Sequence, residues 1–153
     1  MIIILEGPDG SGKTTLAEKI SKMTGWPIEH RSKPNTPEEK VRMMGEYLQA
    51  IHLGKNMIFD RSWYSEMVYG KVMRDKSYID YPQMYELEKR AMQRGALLIY
   101  CTGPKATLWK RATQRGEDYI TSREKFEAIC DEYDKLMQCP HHIPVLKYGY
   151  EDV

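Results

Sequence analysis

The chain alternates between two spacings of apolar residues. Short apolar-rich runs, typical of buried strands, cover residues 1–5, 26–30, 57–59, 96–101 and 143–147. Between these runs, apolar residues recur every three or four positions, which is the spacing of amphipathic helices. Such helices are predicted over about 14–23, 37–53, 63–69, 82–94, 104–115 and 122–137. Strands that alternate with helices predict an α/β fold with a parallel five-stranded sheet, covered by helices on both faces.

Individual residues indicate where some of these helices begin, where a loop lies and which helix faces are buried. Thr36 with Glu39, and Thr121 with Glu124, have the spacing of capping boxes that begin helices. The polar stretch 71–81 is predicted to be a loop. The helix faces predicted to be buried carry Leu16, Ile20 and Met23 in the first helix, Val41, Met44, Leu48 and Ile51 in the second, and Phe126, Ile129, Tyr133, Leu136 and Met137 in the last.

Composition narrows the class of protein. With 153 residues, 41% of them hydrophobic, the chain can bury one core and is expected to form a single domain over 1–153. Lysine and arginine number 23 against 22 aspartates and glutamates, which argues against a nucleic-acid partner. The three cysteines lack metal or redox spacing, and neither a signal peptide nor a membrane span is evident, so we expect a cytoplasmic protein. Residues 139–142, Cys-Pro-His-His, are interpreted as a surface turn.

Residues 7–14, Gly-Pro-Asp-Gly-Ser-Gly-Lys-Thr, match the phosphate-loop pattern G-x-x-x-x-G-K-[ST] between a predicted strand and a predicted helix. Glycines allow the tight turn, and the helix N-terminus adds partial positive charge. In this pattern Lys13 reaches the outer phosphates and the Thr14 hydroxyl is placed to bind Mg²⁺. We therefore predict a site for ATP and Mg²⁺ with these nucleotide-binding residues: Gly10, Ser11, Gly12, Lys13, Thr14 and Thr15.

Ligands of parallel sheets bind at the carboxyl ends of the strands, and charged residues follow several strands here. Asp60-Arg61 follows the third strand, where Asp60 can help to hold Mg²⁺ and Arg61 an anion. Residues 30–33, His-Arg-Ser-Lys, follow the second strand and suit an anionic co-substrate, or form a solvated basic loop. Arg111 and Arg115 share a helix face beside a segment that can act as a lid over about 111–122, or lie on a solvated cationic helix.

These motifs together resemble the thymidylate kinase-like group of nucleotide and deoxynucleoside kinases, which have the P-loop NTPase fold. The resemblance rests on residues 5–15, on 60–69 and, more loosely, on 111–117. It implies that Asp9 contacts the acceptor's sugar, that Asp60 is associated with Mg²⁺, and that Arg31 and Arg61 bind the acceptor phosphate. It also implies that Ser65 and Tyr69 contact the acceptor base and that Arg111 and Arg115 are lid arginines. Homodimers are common in this group.

The sequence also departs from the group. The serine that follows Asp60-Arg61, Ser62, resembles the sequence of deoxynucleoside kinases more than that of thymidylate kinases. Deoxynucleoside kinases use a glutamate after the second strand as a general base. Here that region carries Arg31 and Lys33, and the nearest acid, Glu29, is predicted to lie inside the strand. A monophosphate acceptor is already a nucleophile and needs positive charge around it, so the basic cluster favours a nucleoside monophosphate.

The predicted function is ATP-dependent phosphorylation of a (deoxy)nucleoside monophosphate, a small-molecule substrate. The alternatives are a deoxynucleoside kinase, a polynucleotide 5′-kinase and a non-catalytic ATP-binding module. Lys13, Asp60, Arg61, Arg111 and Arg115 are the predicted catalytic residues. The sequence leaves the base, the choice between ribose and deoxyribose, and the oligomeric state open.

Overall fold

A computed structural model describes residues 1–31, 37–114 and 122–149. Five parallel strands form one sheet, as predicted, and their order in the sheet is β2-β3-β1-β4-β5. The strands are β1 Ile2–Glu6, β2 Ile28–His30, β3 Met57–Asp60, β4 Ala96–Thr102 and β5 Val145–Gly149. The central strand β1 therefore ends between β3 and β4, which is where the glycine-rich loop begins.

Helices cover both faces of the sheet. They are α1 Lys13–Thr24, α2 Pro37–His52, α3 Trp63–Arg74, α4 Tyr81–Gln93, α5 Lys105–Gln114 and α6 Arg123–Gln138. Side chains alternate across β1: Ile2 and Ile4 belong to the larger core, whereas Ile3 and Leu5 belong to a smaller core that includes Ala17 of α1. Because β1 is buried on both faces, its apolar run is continuous rather than alternating.

The predicted loop over 71–81 is wrong in its first part, because α3 continues to Arg74. Val72 and Met73 pack against the core from this last turn. Asp75 then ends the helix in the left-handed conformation, at a φ of 57°. The polar composition of the stretch concealed two apolar residues at helical positions.

Two predicted helix faces each include one residue outside the core, whereas Leu16 and Ile20 of α1 and Met44, Leu48 and Ile51 of α2 pack against it as predicted. Met23 is 86% exposed and Val41 is 76% exposed, so neither belongs to the core. In α2 the buried face carries Met43, Tyr47 and Ile51, which follow a strict four-residue spacing. Apolar residues on adjacent faces made the phase of this helix ambiguous in the sequence.

The N-cap of helix α6 lies one residue later in the sequence than predicted. The Ser122 hydroxyl accepts a hydrogen bond from the Lys125 N–H at 3.1 Å, so Ser122 is the N-cap. Thr121 and Thr36, the two residues predicted to cap helices, lie outside the described residues. Within the three described ranges, no helix combines the length and the apolar character needed to cross a membrane.

The predicted surface turn over 139–142 is wrong for its first histidine. The His141 side chain is 3% exposed, and its Nδ1 lies 2.6 Å from the buried carboxylate of Glu88 in α4. Glu88 also accepts hydrogen bonds from the Tyr64 hydroxyl at 2.5 Å and the His142 N–H at 2.9 Å. These contacts bind α4 to the segment between α6 and β5.

Candidate active site

The glycine-rich loop, residues 7–12, joins β1 to α1. A Cβ on Gly7 would lie 2.0 Å from the carbonyl oxygen of Cys101, and a Cβ on Gly10 would lie 2.5 Å from that of Leu108. At these two glycines the loop thus packs against the end of β4 and against α5 with no space for a side chain. Helix α1 begins directly after it, and the N–H groups of a first helical turn have no acceptor within the helix. This backbone course suits a phosphate cradle.

Lys13 is the buried cation of this loop. Its Nζ donates to the carbonyl oxygen of Pro8 at 2.8 Å and lies 3.4 Å from the Ser11 hydroxyl. Burial, together with the nearby Arg61 guanidinium, lowers the pKa of Lys13 to about 8. The carboxylates of Asp9, Glu6 and Asp60 act in the opposite direction without cancelling this shift, so an anionic ligand would stabilise the ammonium.

Thr14 and Asp60 meet beside the loop. The Thr14 hydroxyl donates to Asp60 Oδ2 at 3.0 Å, and His30 Nδ1 lies 2.9 Å from the same oxygen. Asp60 is placed there because β3 ends at this residue, next to the end of β1. A hydroxyl and a carboxylate oxygen beside a phosphate cradle are ligands that Mg²⁺ prefers, so these residues fit the predicted ion. The contact of His30 with Asp60 was not predicted.

Arg61 connects the strand ends to the loop. It has a φ of 74°, which is unusual for a residue with a side chain, and its N–H donates to the carbonyl oxygen of Leu5 at 3.0 Å. Its guanidinium forms an ion pair with Asp9 and lies 5.3 Å from the ring centroid of Tyr69. The structure thus brings together three predicted acceptor-binding residues, one each from the loop, the end of β3 and α3.

Arg31 has different surroundings. Its guanidinium lies 2.5 Å from the carboxylate of Glu29 and stacks over the ring of Tyr47, 4.8 Å from the centroid. Its buried Nε has no hydrogen-bond partner within the described part of the chain. The other members of the predicted basic cluster, Ser32 and Lys33, lie outside the described residues.

Ser65 is already engaged by a residue that sequence reasoning missed. Its hydroxyl donates to Glu6 Oε2 at 2.7 Å and lies 3.0 Å from the Tyr133 hydroxyl. Glu6, the last residue of β1, is fully buried. A carboxylate at the end of an otherwise apolar strand, directly before the glycine loop, was the available signal in the sequence.

Arg111 ties α5 to the loop. Its Nε donates to the carbonyl oxygen of Gly10 at 3.1 Å, across the surface where Gly10 packs on α5. Arg115 and residues 116–121 of the predicted lid lie outside the described residues, so the lid stays a prediction.

A parallel sheet with this strand order and a glycine-rich loop that leads into α1 defines the chain as a P-loop protein of the α/β class. More narrowly, the chain belongs to the polyphosphate kinase 2 (PPK2) family, whose model matches residues 1–119. Among curated proteins it is similar to the SPbeta prophage-derived uncharacterized protein YorR of Bacillus subtilis (strain 168). The two are 30% identical over 136 residues, which cover 89% of this chain and 81% of YorR.

Solved structures share the fold. The structure of B. subtilis YorR in complex with phosphorylated GDP is similar with a TM-score of 0.82 and 26% identity, over 99% of this chain and 86% of that one. The fold is also that of deoxyadenosine kinase from M. mycoides, with a TM-score of 0.67, 21% identity and coverage of 99% and 91%. Polyphosphate kinase 2 from Arthrobacter aurescens TC1 matches with a TM-score of 0.67 and 19% identity, over 95% of this chain and 59% of that one.

Proposed function

We propose that this protein transfers the terminal phosphoryl group of ATP to a (deoxy)nucleoside monophosphate, in the manner of the thymidylate kinase-like group. The observation that carries the proposal is the pair of cations at the loop. Lys13 is buried within the phosphate loop, and Arg61 is held at the end of β3 beside Asp9 and Tyr69. One cation suits the donor phosphates and the other suits the phosphate of an acceptor.

In this mechanism an oxygen of the acceptor phosphate attacks the terminal phosphorus of ATP, and the bond to the ADP oxygen breaks. Lys13 and the loop backbone bind the donor phosphates, while Arg61 and Arg31 orient the acceptor phosphate in line. Arg111 and Arg115 neutralise charge on the transferred group. Mg²⁺, which Thr14 and Asp60 would hold, supplies further positive charge at the donor phosphates. Positioning and electrostatics provide most of the rate, and no general base is required.

A deoxynucleoside kinase is the first alternative, and it needs a base for the 5′-hydroxyl. Glu29 is the nearest candidate to the predicted position, and the structure places it in β2 with its carboxylate 2.5 Å from the Arg31 guanidinium. A carboxylate that is already engaged by an arginine would have to leave that contact to take a proton from a hydroxyl, which supports the monophosphate. The Glu29→Gln variant distinguishes the two functions. A nucleoside kinase would lose turnover by about a hundredfold or more, because its general base is removed, whereas a monophosphate kinase would not.

Polyphosphate is a second candidate phosphoryl donor, because the matched family carries the name polyphosphate kinase 2. The phosphate loop and Lys13 offer a chain of phosphates the same cradle that they offer the tail of ATP. The nucleotide in the YorR structure is described as phosphorylated GDP, which supports a nucleotide on one side of the reaction.

The test is a matrix of donors and acceptors with Mg²⁺ present. The donors are ATP and polyphosphate. The acceptors are all nucleosides and all nucleoside 5′-monophosphates, each in ribo and deoxy forms, and an oligonucleotide with a free 5′-hydroxyl. We expect turnover with ATP and one or more monophosphates. Turnover only with nucleosides or the oligonucleotide would contradict the proposal, as would ATP binding without transfer to any acceptor. Lys13→Ala, analysed in parallel, checks that turnover comes from this site.

A further inference from the structure

We propose that Glu6 is a positioning residue for phosphoryl transfer, which fixes Arg61 in the orientation that binds the acceptor phosphate. The inference rests on the proposed function, because it assigns Arg61 to the acceptor. Glu6 touches neither the predicted donor-binding side chains nor Arg61 through a hydrogen bond in the described contacts. It acts through the backbone that carries Arg61 and through the attraction between its carboxylate and the Arg61 guanidinium.

One carboxylate oxygen of Glu6 caps α3 from outside the helix. Glu6 Oε1 accepts from the Ser62 N–H at 2.7 Å, the Ser62 hydroxyl at 2.9 Å and the Ser65 N–H at 3.1 Å. Ser62 occupies the N-cap position of α3 but makes no capping hydrogen bond with its own side chain. The first N–H groups of a helix need an acceptor, and here a strand residue far away in the sequence supplies it.

The other oxygen extends the contact to α6. Glu6 Oε2 accepts from the Ser65 hydroxyl at 2.7 Å and the Tyr133 hydroxyl at 3.0 Å. The carboxylate is fully buried, and a buried charge is tolerated only where hydrogen bonds replace its hydration. Glu6 thus joins the end of β1, the start of α3 and the middle of α6 at one point. Because five hydrogen bonds converge on its two oxygens, neither helix can shift independently without breaking some of them.

Two hydrogen bonds, which we call anchors, hold the backbone at Arg61 and at the residue after it. Its own N–H is bonded to Leu5, the residue before Glu6, and the next residue, Ser62, is bonded to Glu6 itself. Arg61 has a φ of 74°, and such a conformation persists only where the surrounding structure fixes it. Loss of the second anchor would therefore let the Arg61 backbone relax and move its guanidinium. A shift of about 1 Å in a substrate-positioning group is enough to cost a hundredfold in rate.

The first experiment compares Glu6→Gln with Glu88→Gln. Both residues are fully buried carboxylates that accept hydrogen bonds from side chains and backbone, but Glu88 lies in α4 and contacts His141. Glutamine keeps the shape of Glu6 and one acceptor oxygen, so the chain is expected to fold. We expect Glu6→Gln to raise the acceptor KM by about tenfold or more and the ATP KM by less than about threefold. Glu88→Gln should lower Tm and leave both KM values unchanged.

A double-mutant cycle tests whether Glu6 acts through Arg61. In the Arg61→Ala background, Glu6→Gln should change the acceptor kcat/KM by no more than about twofold, because the group that it positions is gone. Tyr133→Phe, which removes one of the donors to Glu6 and keeps its charge, should change the acceptor KM in the same direction by a smaller factor. Equal effects of Glu6→Gln on both substrates, additivity with Arg61→Ala, or kinetics like those of Glu88→Gln would each overturn the inference.

The same cycle is also measured in the Lys13→Ala background as equilibrium binding of inorganic phosphate, by calorimetry on the full chain, because the intact phosphate loop would itself bind phosphate. This reading needs no turnover, so it separates the inference from the proposed reaction. If the wild type transfers phosphate to no acceptor but Glu6→Gln and Arg61→Ala weaken phosphate binding to the same extent, only the proposed function fails. If phosphate binds to Glu6→Gln as it does to the wild type, the positioning role fails.

Discussion

The phosphate loop has no space for a side chain at Gly10, whose backbone lies against the Leu108 carbonyl in α5. Gly10 has a φ of 80°, and Gly25 at the end of α1 has a φ of 76° but open space around it. Gly25→Ala should therefore cost about 1–2 kcal/mol of unfolding free energy, the strain of a left-handed residue. Gly10→Ala should cost at least about 1 kcal/mol more, because it adds a clash with backbone. Urea unfolding of both variants measures this, and equal losses would contradict the packing argument.

Lys13 is the residue on which donor binding most depends in the proposed function. Lys13→Ala should lower kcat/KM for ATP by about a hundredfold or more, because the buried ammonium has no substitute in the loop. Lys22→Ala, in the last turn of the same helix, is the matched control and should have wild-type kinetics. The measurement is ADP release against ATP concentration. Near-normal turnover by Lys13→Ala would remove the loop from the mechanism.

Arg31 separates acceptor binding from donor binding. It lies at the end of β2, and stacking on Tyr47 holds its guanidinium in place. If it binds the acceptor phosphate, Arg31→Ala should raise the acceptor KM by about tenfold or more with little change in the ATP KM. Arg31→Lys keeps the charge but loses the planar fork, so its effect should be intermediate. Equal changes in both KM values would show that Arg31 is not specific for the acceptor.

At the scale of elements, the N-terminus of α6 depends on one hydroxyl. Ser122 Oγ accepts from the Lys125 N–H at 3.1 Å. Ser122→Ala should cost about 1 kcal/mol, whereas Ser122→Asp keeps an acceptor and should be close to neutral. Thermal or urea unfolding distinguishes the two variants. If neither variant loses stability, the N–H groups of this helix have another acceptor, and if both lose the same amount, the loss does not come from the missing acceptor.

The elements that the sequence predicted best are those specified by nearby residues. The run from β1 through the loop to α1 is a local pattern, and Asp60-Arg61 follows from the end of β3. The interactions it missed join distant positions: Glu6 bonds to Tyr133, and His141 bonds to Glu88. A single buried carboxylate or histidine has no periodicity, so its partner is set by the packing of whole elements. The prediction for Val41 in α2 failed for a related reason, since the limits of a buried helix face depend on what packs against the helix.

At the scale of the whole molecule, the pair of Glu88 and His141 joins α4 to the segment before β5. Both ring nitrogens of His141 face acceptors, Glu88 at 2.6 Å and the Leu136 carbonyl at 2.8 Å, which favours the doubly protonated ring. Burial opposes the charge of His141, but the hydrogen bond to Glu88 outweighs it and raises the pKa above the ordinary 6.5. Burial likewise opposes ionisation of Glu88, but bonds from His141, His142 and Tyr64 lower its pKa below the ordinary 4.5.

These shifts give the stability of the whole chain a defined pH dependence. A raised histidine pKa contributes stability that is complete below about 6.5 and is lost as pH rises through the folded-state value. A lowered glutamate pKa contributes stability that is present above about 4.5 and is lost as pH falls through its folded-state value. His141→Gln should therefore cost most near pH 5.5, on the order of 3 kcal/mol, and progressively less towards pH 9.

Urea unfolding at a series of pH values measures the difference between wild type and His141→Gln. His52→Gln, at the exposed end of α2, is the control for a histidine without a buried carboxylate partner, and its difference from wild type should stay small. A His141→Gln difference that is independent of pH, or that grows as pH rises, would mean that the ring is neutral in the folded chain. In that case α4 and the segment before β5 would be joined by hydrogen bonds from a neutral His141 ring and the His142 N–H to Glu88, rather than by an ion pair.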